Sequence, residues 1–189
     1  GGLESYLKLS DNHPDFAINA VNVNYLKEIS ILLIQSGVKN ILIEKPGDLT
    51  NEGLKKIKNC AEMHDSNIQI AYNRRFYSSI LALKEQAVLD GGVTSAHFEF
   101  TEWIHTIEPA IYDEHTLARW IIANSSHVID AAFNIIGPPA SLNVNVTGLN
   151  AIDWHPSGAV FSGNGLSVND IPFTYHSNWQ SAGRWAIEV

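Results

Sequence analysis

Lys45 stands between Glu44 and Pro46, where the apolar run Val38 to Ile43 ends. A primary ammonium held at the end of a buried strand can donate a proton or polarise an oxygen. Pro46 cannot continue a ladder and biases Lys45 away from the right-handed helical region, so the lysine is expected on an extended, rigid stub. A strand-end lysine wetted by solvent is the equal alternative. His127 follows Asn124-Ser125-Ser126 and precedes Val128-Ile129-Asp130. Polar residues of this kind cap helices, which puts His127 in a first turn, on the face opposite the apolar stripe. There the positive end of the helix dipole disfavours imidazolium and leaves a neutral ring able to accept a proton. Capping or packing is the alternative role. A third stretch, Tyr72-Asn73-Arg74-Arg75-Phe76, follows another apolar run. Arg75 can steady a phosphate or a carboxylate, or pair with an acid where two halves of the chain meet. The eight histidines show neither a His-x-x-x-His nor a Cys-paired spacing, so no metal site is expected.

Those side chains need elements to hold them. Phe16 to Val23 reads as a strand, Glu28 to Gln35 as a largely buried helix and Val38 to Ile43 as a strand. Thr50 is placed to cap a helix in which Leu54, Ile57 and Ala61 form one buried stripe and Lys55, Lys56 and Lys58 a solvated face. Ile68 to Tyr72 reads as a third strand, and Ser79 to Leu89 as a helix with Ile80, Leu83 and Ala87 inward, stopped by Gly91-Gly92. Strands alternating with helices predict a parallel sheet, whose carboxyl edge is where ligands bind. Both Lys45 and Arg75 fall on that edge.

Beyond Gly92 the rhythm changes. Ala96, Phe98 and Phe100 alternate with His97, Glu99 and Thr101, as in a strand with one buried face. One helix follows, with Val128, Ile129, Ala132, Phe133 and Ile136 apolar and Gly137-Pro138 at its end. Leu142, Val144 and Val146 then alternate with asparagines, Gly163-Asn164-Gly165 has hairpin-turn chemistry, and Ile171 to Trp179 with Arg184 to Val189 completes a meander. The expected class is α/β plus α+β: residues 1–76 form part of a parallel-sheet domain, and residues 77–189 a domain with a mostly antiparallel open sheet. Trp103, Trp120, Trp154, Trp179 and Trp185 read mainly as core.

At 189 residues, 45% hydrophobic and 17% charged, the chain has enough apolar side chain for a core. Twelve Lys and Arg against twenty Asp and Glu leave a charge of −8, which argues against nucleic acid and anionic membrane surfaces as partners. A lone cysteine, Cys60, cannot close an internal disulfide and suits a reducing cytoplasm. No apolar run reaches the roughly 18 residues of a membrane helix, and no secretory pattern opens the chain. The start at Gly1-Gly2 and the end at Val189, inside a strand pattern, suggest a fragment.

In order, the strand entering Glu44-Lys45-Pro46, the Tyr72-to-Phe76 stretch, the Gly91-Gly92 strand entry and His127-x-x-Asp130 before Gly137 resemble the Gfo/Idh/MocA family of nicotinamide-dependent sugar and inositol oxidoreductases. The resemblance covers nearly the whole chain. It implies a Rossmann-like dinucleotide-binding part and a C-terminal domain whose open sheet supports a homo-oligomer. It also implies NAD or NADP as cofactor and a sugar, sugar-nucleotide or inositol-like substrate, with hydride moving to or from the nicotinamide. Lys45 matches the catalytic lysine and His127 the position that serves as proton acceptor or relay. Glu44 and Pro46 match residues lining the nicotinamide pocket, Asn22 and Asn73 fall in cofactor-flanking segments, and Arg75 and Asp130 match substrate-side positions.

The sequence departs from the family in three places. The G-x-G-x-x-G turn is absent, so roughly the first third of a dinucleotide domain is expected to be missing. Val21-Asn22-Val23-Asn24-Tyr25-Leu26 stands where Thr-Pro and a His are usual, and Ala123 stands where an Asp often precedes the helix histidine by four residues. The Asn-Ser-Ser-His variant resembles members acting on sugar nucleotides or surface-polysaccharide precursors. The alternatives to an enzyme are a non-catalytic truncated module and a ligand sensor that keeps the fold.

Overall fold

A computed structural model describes residues 2–9 and 13–189, so Gly1 of the opening glycine pair lies outside the described residues. The chain divides into two compact units, one ending at Ala71 and the other beginning at Tyr72. The segment 72–76, grouped on sequence with the first part, packs with the second.

The first unit opens with α1 (Leu3–Leu9) and continues through β1 (Phe16–Asn19), α2 (Leu26–Gln35), β2 (Asn40–Glu44), α3 (Asn51–Met63) and β3 (Asn67–Ala71). Its three strands run parallel in the order β1-β2-β3. Leu26, Ile34, Val38, Ile43 and Ile57 fill the space between the sheet and the two later helices. As the periodicity requires, Ile57 and Ala61 are buried while Lys55, Lys56 and Lys58 face water. Thr50 caps α3, accepting the Gly53 N–H at 3.0 Å. β1 is shorter than the apolar run suggested. Buried Asn19 donates to the Leu26 carbonyl and to Ser30 Oγ, each at 2.9 Å, which turns the chain out of the ladder before Val23.

The second unit contains α4 (Ser78–Leu89), β4 (Ala96–Phe100), α5 (Glu114–Leu117), α6 (Ser126–Ile136), β5 (Pro139–Thr147), β6 (Val160–Ser167), β7 (Pro172–Asn178) and β8 (Trp185–Glu188). These strands form a five-stranded sheet ordered β5-β6-β7-β4-β8. The β4–β7 pair is parallel and the other pairs are antiparallel. The expected meander is thereby corrected: β8 pairs with β4 and not with β7. Period-two alternation sends Phe98, Phe100, Phe161, Phe173 and Tyr175 to one face, which α6 covers with Val128, Ala132 and Ile136. His97, Asn164, Thr174 and His176 lie on the opposite, open face. In α4 the inward stripe Ile80, Leu83 and Ala87 is half-buried, and no residue of the helix is fully covered.

Gly163-Asn164-Gly165 is not a hairpin turn but the middle of β6. A Cβ on Gly163 would sit 2.5 Å from the Tyr175 hydroxyl oxygen, and one on Gly165 would sit 2.5 Å from Phe173 Cζ. Nearer still are the carbonyl oxygens of Asn143 and Ser141 on β5, so these glycines admit both the β5 backbone and the aromatic rings of β7. The β6–β7 turn falls instead at Val168–Ile171, where Asp170 takes a φ of +59° and Ser167 Oγ accepts the backbone N–H groups of Asn169 and Ile171.

The loop between β5 and β6 carries His155, which is 1% exposed and lies 4.6 Å, centroid to centroid, from the Trp179 ring. Burial lowers its pKa below the ordinary 6.5, opposed only in part by the hydrogen bond to the Gly158 carbonyl. The unfolded chain therefore takes up a proton before the folded chain does. Stability should be full above pH 6.5 and fall as the pH drops through the lowered value. Thermal melts across that interval test this, and a His155→Gln variant should lose much of the slope.

Candidate functional site

In the first unit the parallel strands deliver their carboxyl ends to one edge. β2 runs directly into Glu44-Lys45-Pro46-Gly47, and the Gly47 N–H closes a four-residue turn on the Glu44 carbonyl at 3.0 Å. Lys45 therefore occupies the second position of a tight turn directly at the end of β2, and the Lys45–Pro46 peptide bond is cis. Gly47 closes the turn with a φ of +81°, and a Cβ there would stand 2.7 Å from Ile70 Cδ1. A side chain there would open the turn. Pro46 is buried, and Glu44 and Lys45 are half-buried. Just beyond the turn, the Asp48 carboxylate accepts from the Thr50 N–H at 2.8 Å and stands 3.6 Å from Lys27 Nζ, tying the turn to α2 and to the start of α3. Asn22 is exposed at the same edge, and its side-chain oxygen accepts the Asn24 N–H at 3.2 Å, capping a short helical turn.

The second unit brings together Tyr72, Arg75, His127 and Asp130. Tyr72 and Asn73 open a 3-10 turn packed on α6, with Asn73 exposed. Arg75 grips Asp130 with two parallel hydrogen bonds, one of them Nε to Oδ2 at 2.7 Å. Each satisfies the other, and the hydrogen bond to Asp130 raises the Arg75 pKa still further. The ion-pair role held open for Arg75 is thus realised within this unit. Arg75 keeps 44% of its side chain exposed, against 14% for Asp130.

Tyr72 meets the His127 ring edge-on, 6.2 Å between centroids, and lies under the Arg75 guanidinium at 5.9 Å. Burial, with a smaller contribution from Asp130, raises the Tyr72 pKa and keeps the phenol neutral. His127 is half-buried and its Nδ1 is shielded from solvent.

As the sequence predicts, α6 begins at Ser126, immediately before His127, but it does not begin at a free end. Residues Ile121–Ser125 form a π-helical turn that runs straight into α6, and Ser125, at the α6 boundary, has a helical φ of −64° and makes no side-chain capping bond. His127 is therefore not at a free helix end, and the dipole argument applies to residues nearer Trp120. The side chains read as caps have another use. Asn124 Nδ2 donates to Glu102 Oε2 at 2.9 Å, and Ser125 Oγ donates to Glu102 Oε1. Glu102, two residues past β4, is 5% exposed. No spacing in the sequence singled it out.

Glu102 also lines a cavity of about 370 Å³, with Trp103, Asn124, Arg184 and Trp185 among its walls. The remaining tryptophans behave largely as expected: Trp179 and Trp120 are buried at 1% and 6%, whereas Trp103 is 56% exposed. Among the described residues, no three His, Cys, Asp or Glu side chains are grouped to hold a metal ion. No helix among them is long and apolar enough to cross a membrane.

Comparison with known proteins finds no family model and no curated protein that matches this sequence. Solved structures do match. An oxidoreductase from Agrobacterium radiobacter, in complex with NAD+, L-tartaric acid and magnesium, is similar at a TM-score of 0.76 and 18% identity over 98% of this chain and 54% of its own. The WlbA dehydrogenase from Chromobacterium violaceum, in complex with NADH and UDP-GlcNAcA, is similar at 0.70 and 17% over 94% of this chain and 52% of its own. The WlbA (WbpB) dehydrogenase from Thermus thermophilus, in complex with NAD and alpha-ketoglutarate, is similar at 0.70 and 15%, again over 94% of this chain. These likenesses establish the fold, a Rossmann-like part followed by an open-sheet domain. The chain spans about half the length of the structures it matches.

Proposed function

We propose that this chain is part of an NAD- or NADP-dependent oxidoreductase of the Gfo/Idh/MocA type, acting on a sugar, sugar-nucleotide or inositol-like substrate. The observation that carries the reading is the placement of Glu44-Lys45-Pro46 in a rigid turn at the carboxyl edge of a parallel sheet, in a fold shared with dehydrogenases that bind NAD+ or NADH. The UDP-GlcNAcA held by the Chromobacterium protein favours a sugar nucleotide among the possible substrates.

The residues present suit one end of a dinucleotide. The strand edge of the first unit offers the half-buried Lys45, the buried Pro46 and the exposed Asn22. The pyrophosphate end calls for a glycine-rich turn that this sequence does not hold. When bound, the nicotinamide ring supplies or accepts hydride at C4. The resemblance gives Lys45 the role of hydrogen-bonding the substrate oxygen that changes, and His127 that of proton acceptor or relay. Arg75, already paired with Asp130, presents its remaining exposed N–H groups to substrate oxygens. Self-association through the open sheet of the second unit is part of the same proposal, and the single, buried Cys60 suits a reducing cytoplasm.

A second reading, a ligand sensor that keeps the fold without turnover, draws on Ala123 and on the Asn22 loop. Fluorescence titration of the full-length protein with NADH and NADPH tests the cofactor assignment. Saturable binding of one of them is the expected result, with weaker binding by residues 1–189 alone. Absence of binding to the full-length protein would overturn the reading, and binding without turnover of any nucleotide sugar would favour the sensor.

A further inference from the structure

We infer that Glu102 is the positioning residue of His127, supplying from the end of β4 the carboxylate that the helix itself lacks at Ala123. The inference rests on the reading of His127 as the proton-handling group, but its test reads the imidazole directly. A failure here would leave the oxidoreductase assignment standing.

The argument begins with cost. A carboxylate only 5% exposed has given up its hydration, a loss that hydrogen bonds must offset. Glu102 recovers two of them from one place. Asn124 Nδ2 reaches Oε2 and Ser125 Oγ reaches Oε1, so both carboxylate oxygens are spent on consecutive residues of the π-helical turn Ile121–Ser125. Turns of this kind hold one residue more than an α-turn and are poorly stabilised by their own backbone bonding. Clamping its last two residues fixes where α6 begins and the rotation at which His127, two residues after Ser125, leaves the helix.

Neighbouring contacts make that rotation matter. The imidazole lies edge-on to Tyr72, and one turn later Asp130 holds Arg75. A small rotation of the first turn of α6 would move the ring relative to Tyr72 while leaving the Arg75–Asp130 clasp in place. Glu102 also lines the cavity walled by Trp103, Arg184 and Trp185, beside the start of β8.

The experiment compares 15N-detected imidazole spectra of the full-length protein as wild type, Glu102→Ala, Glu102→Gln and Ser177→Ala. Ser177 is fully buried and donates to the Phe100 carbonyl at 3.0 Å, so its loss removes a hydrogen bond near the same strand end without touching the π-helical turn. Glu102→Ala should change the His127 nitrogen shifts and tautomer balance and weaken its contact with Tyr72. Glu102→Gln, which can still accept one of the two hydrogen bonds, should restore part of the wild-type pattern. Ser177→Ala should lower thermal stability and leave His127 as it was. Unchanged His127 signals in a folded Glu102→Ala protein would overturn the inference. If that variant does not fold, the Gln variant decides alone: a wild-type His127 spectrum refutes the role, and a shifted one supports it.

Discussion

Lys45→Ala in the full-length protein should lower kcat by about 10²- to 10⁴-fold, the range over which positioned proton donors contribute. A nucleotide sugar with NADH or NADPH provides the assay. The loss should appear in kcat more than in KM, because the ammonium is asked to act on the oxygen whose charge changes during hydride transfer. Stability should barely move, within about 0.5 kcal/mol, since Lys45 is half-buried and the turn that carries it is closed by backbone groups of Glu44 and Gly47. Lys45→Arg should not restore activity, because a planar guanidinium on a longer stem cannot present a single compact ammonium from the same turn. Full turnover by Lys45→Ala at an unchanged melting temperature would remove the basis of the proposed chemistry.

The largest structural effect is expected at Trp179. Its ring is 1% exposed and packs against His155 at 4.6 Å and Phe161 at 5.2 Å, centroid to centroid. Trp179→Ala should destabilise the second unit by about 3–5 kcal/mol, measured by urea unfolding, because the hole it leaves is walled by rigid aromatic rings. Trp179→Phe should cost far less. The indole Nε1 is buried with no hydrogen-bond partner, so the smaller ring gives up packing but also removes an unsatisfied N–H. Comparable losses for Phe and Ala would show that shape alone governs this core.

Local pattern alone determined the order and type of the main elements of this protein. The alternation of Ala96, Phe98 and Phe100, the stripe of Ile57 and Ala61 beneath Thr50, and the apolar run into Glu44-Lys45-Pro46 each report a face buried against something else, and periodicity is the record of that burial. Tertiary structure decided what those faces meet. Gly163 and Gly165 look like turn residues in one dimension, yet they are small because the β5 backbone at Asn143 and Ser141 and the rings of Tyr175 and Phe173 crowd them from the two neighbouring strands. Asn124 and Ser125 look like helix caps until Glu102, more than twenty residues away in sequence, takes their hydrogen bonds. On sequence, Arg75 and Asp130 both match substrate-side positions with no link between them, but a contact across 55 residues makes them one charge-assisted pair. In each case the residue type followed from a partner distant along the chain, and a short-range pattern holds no information about which distant group arrives.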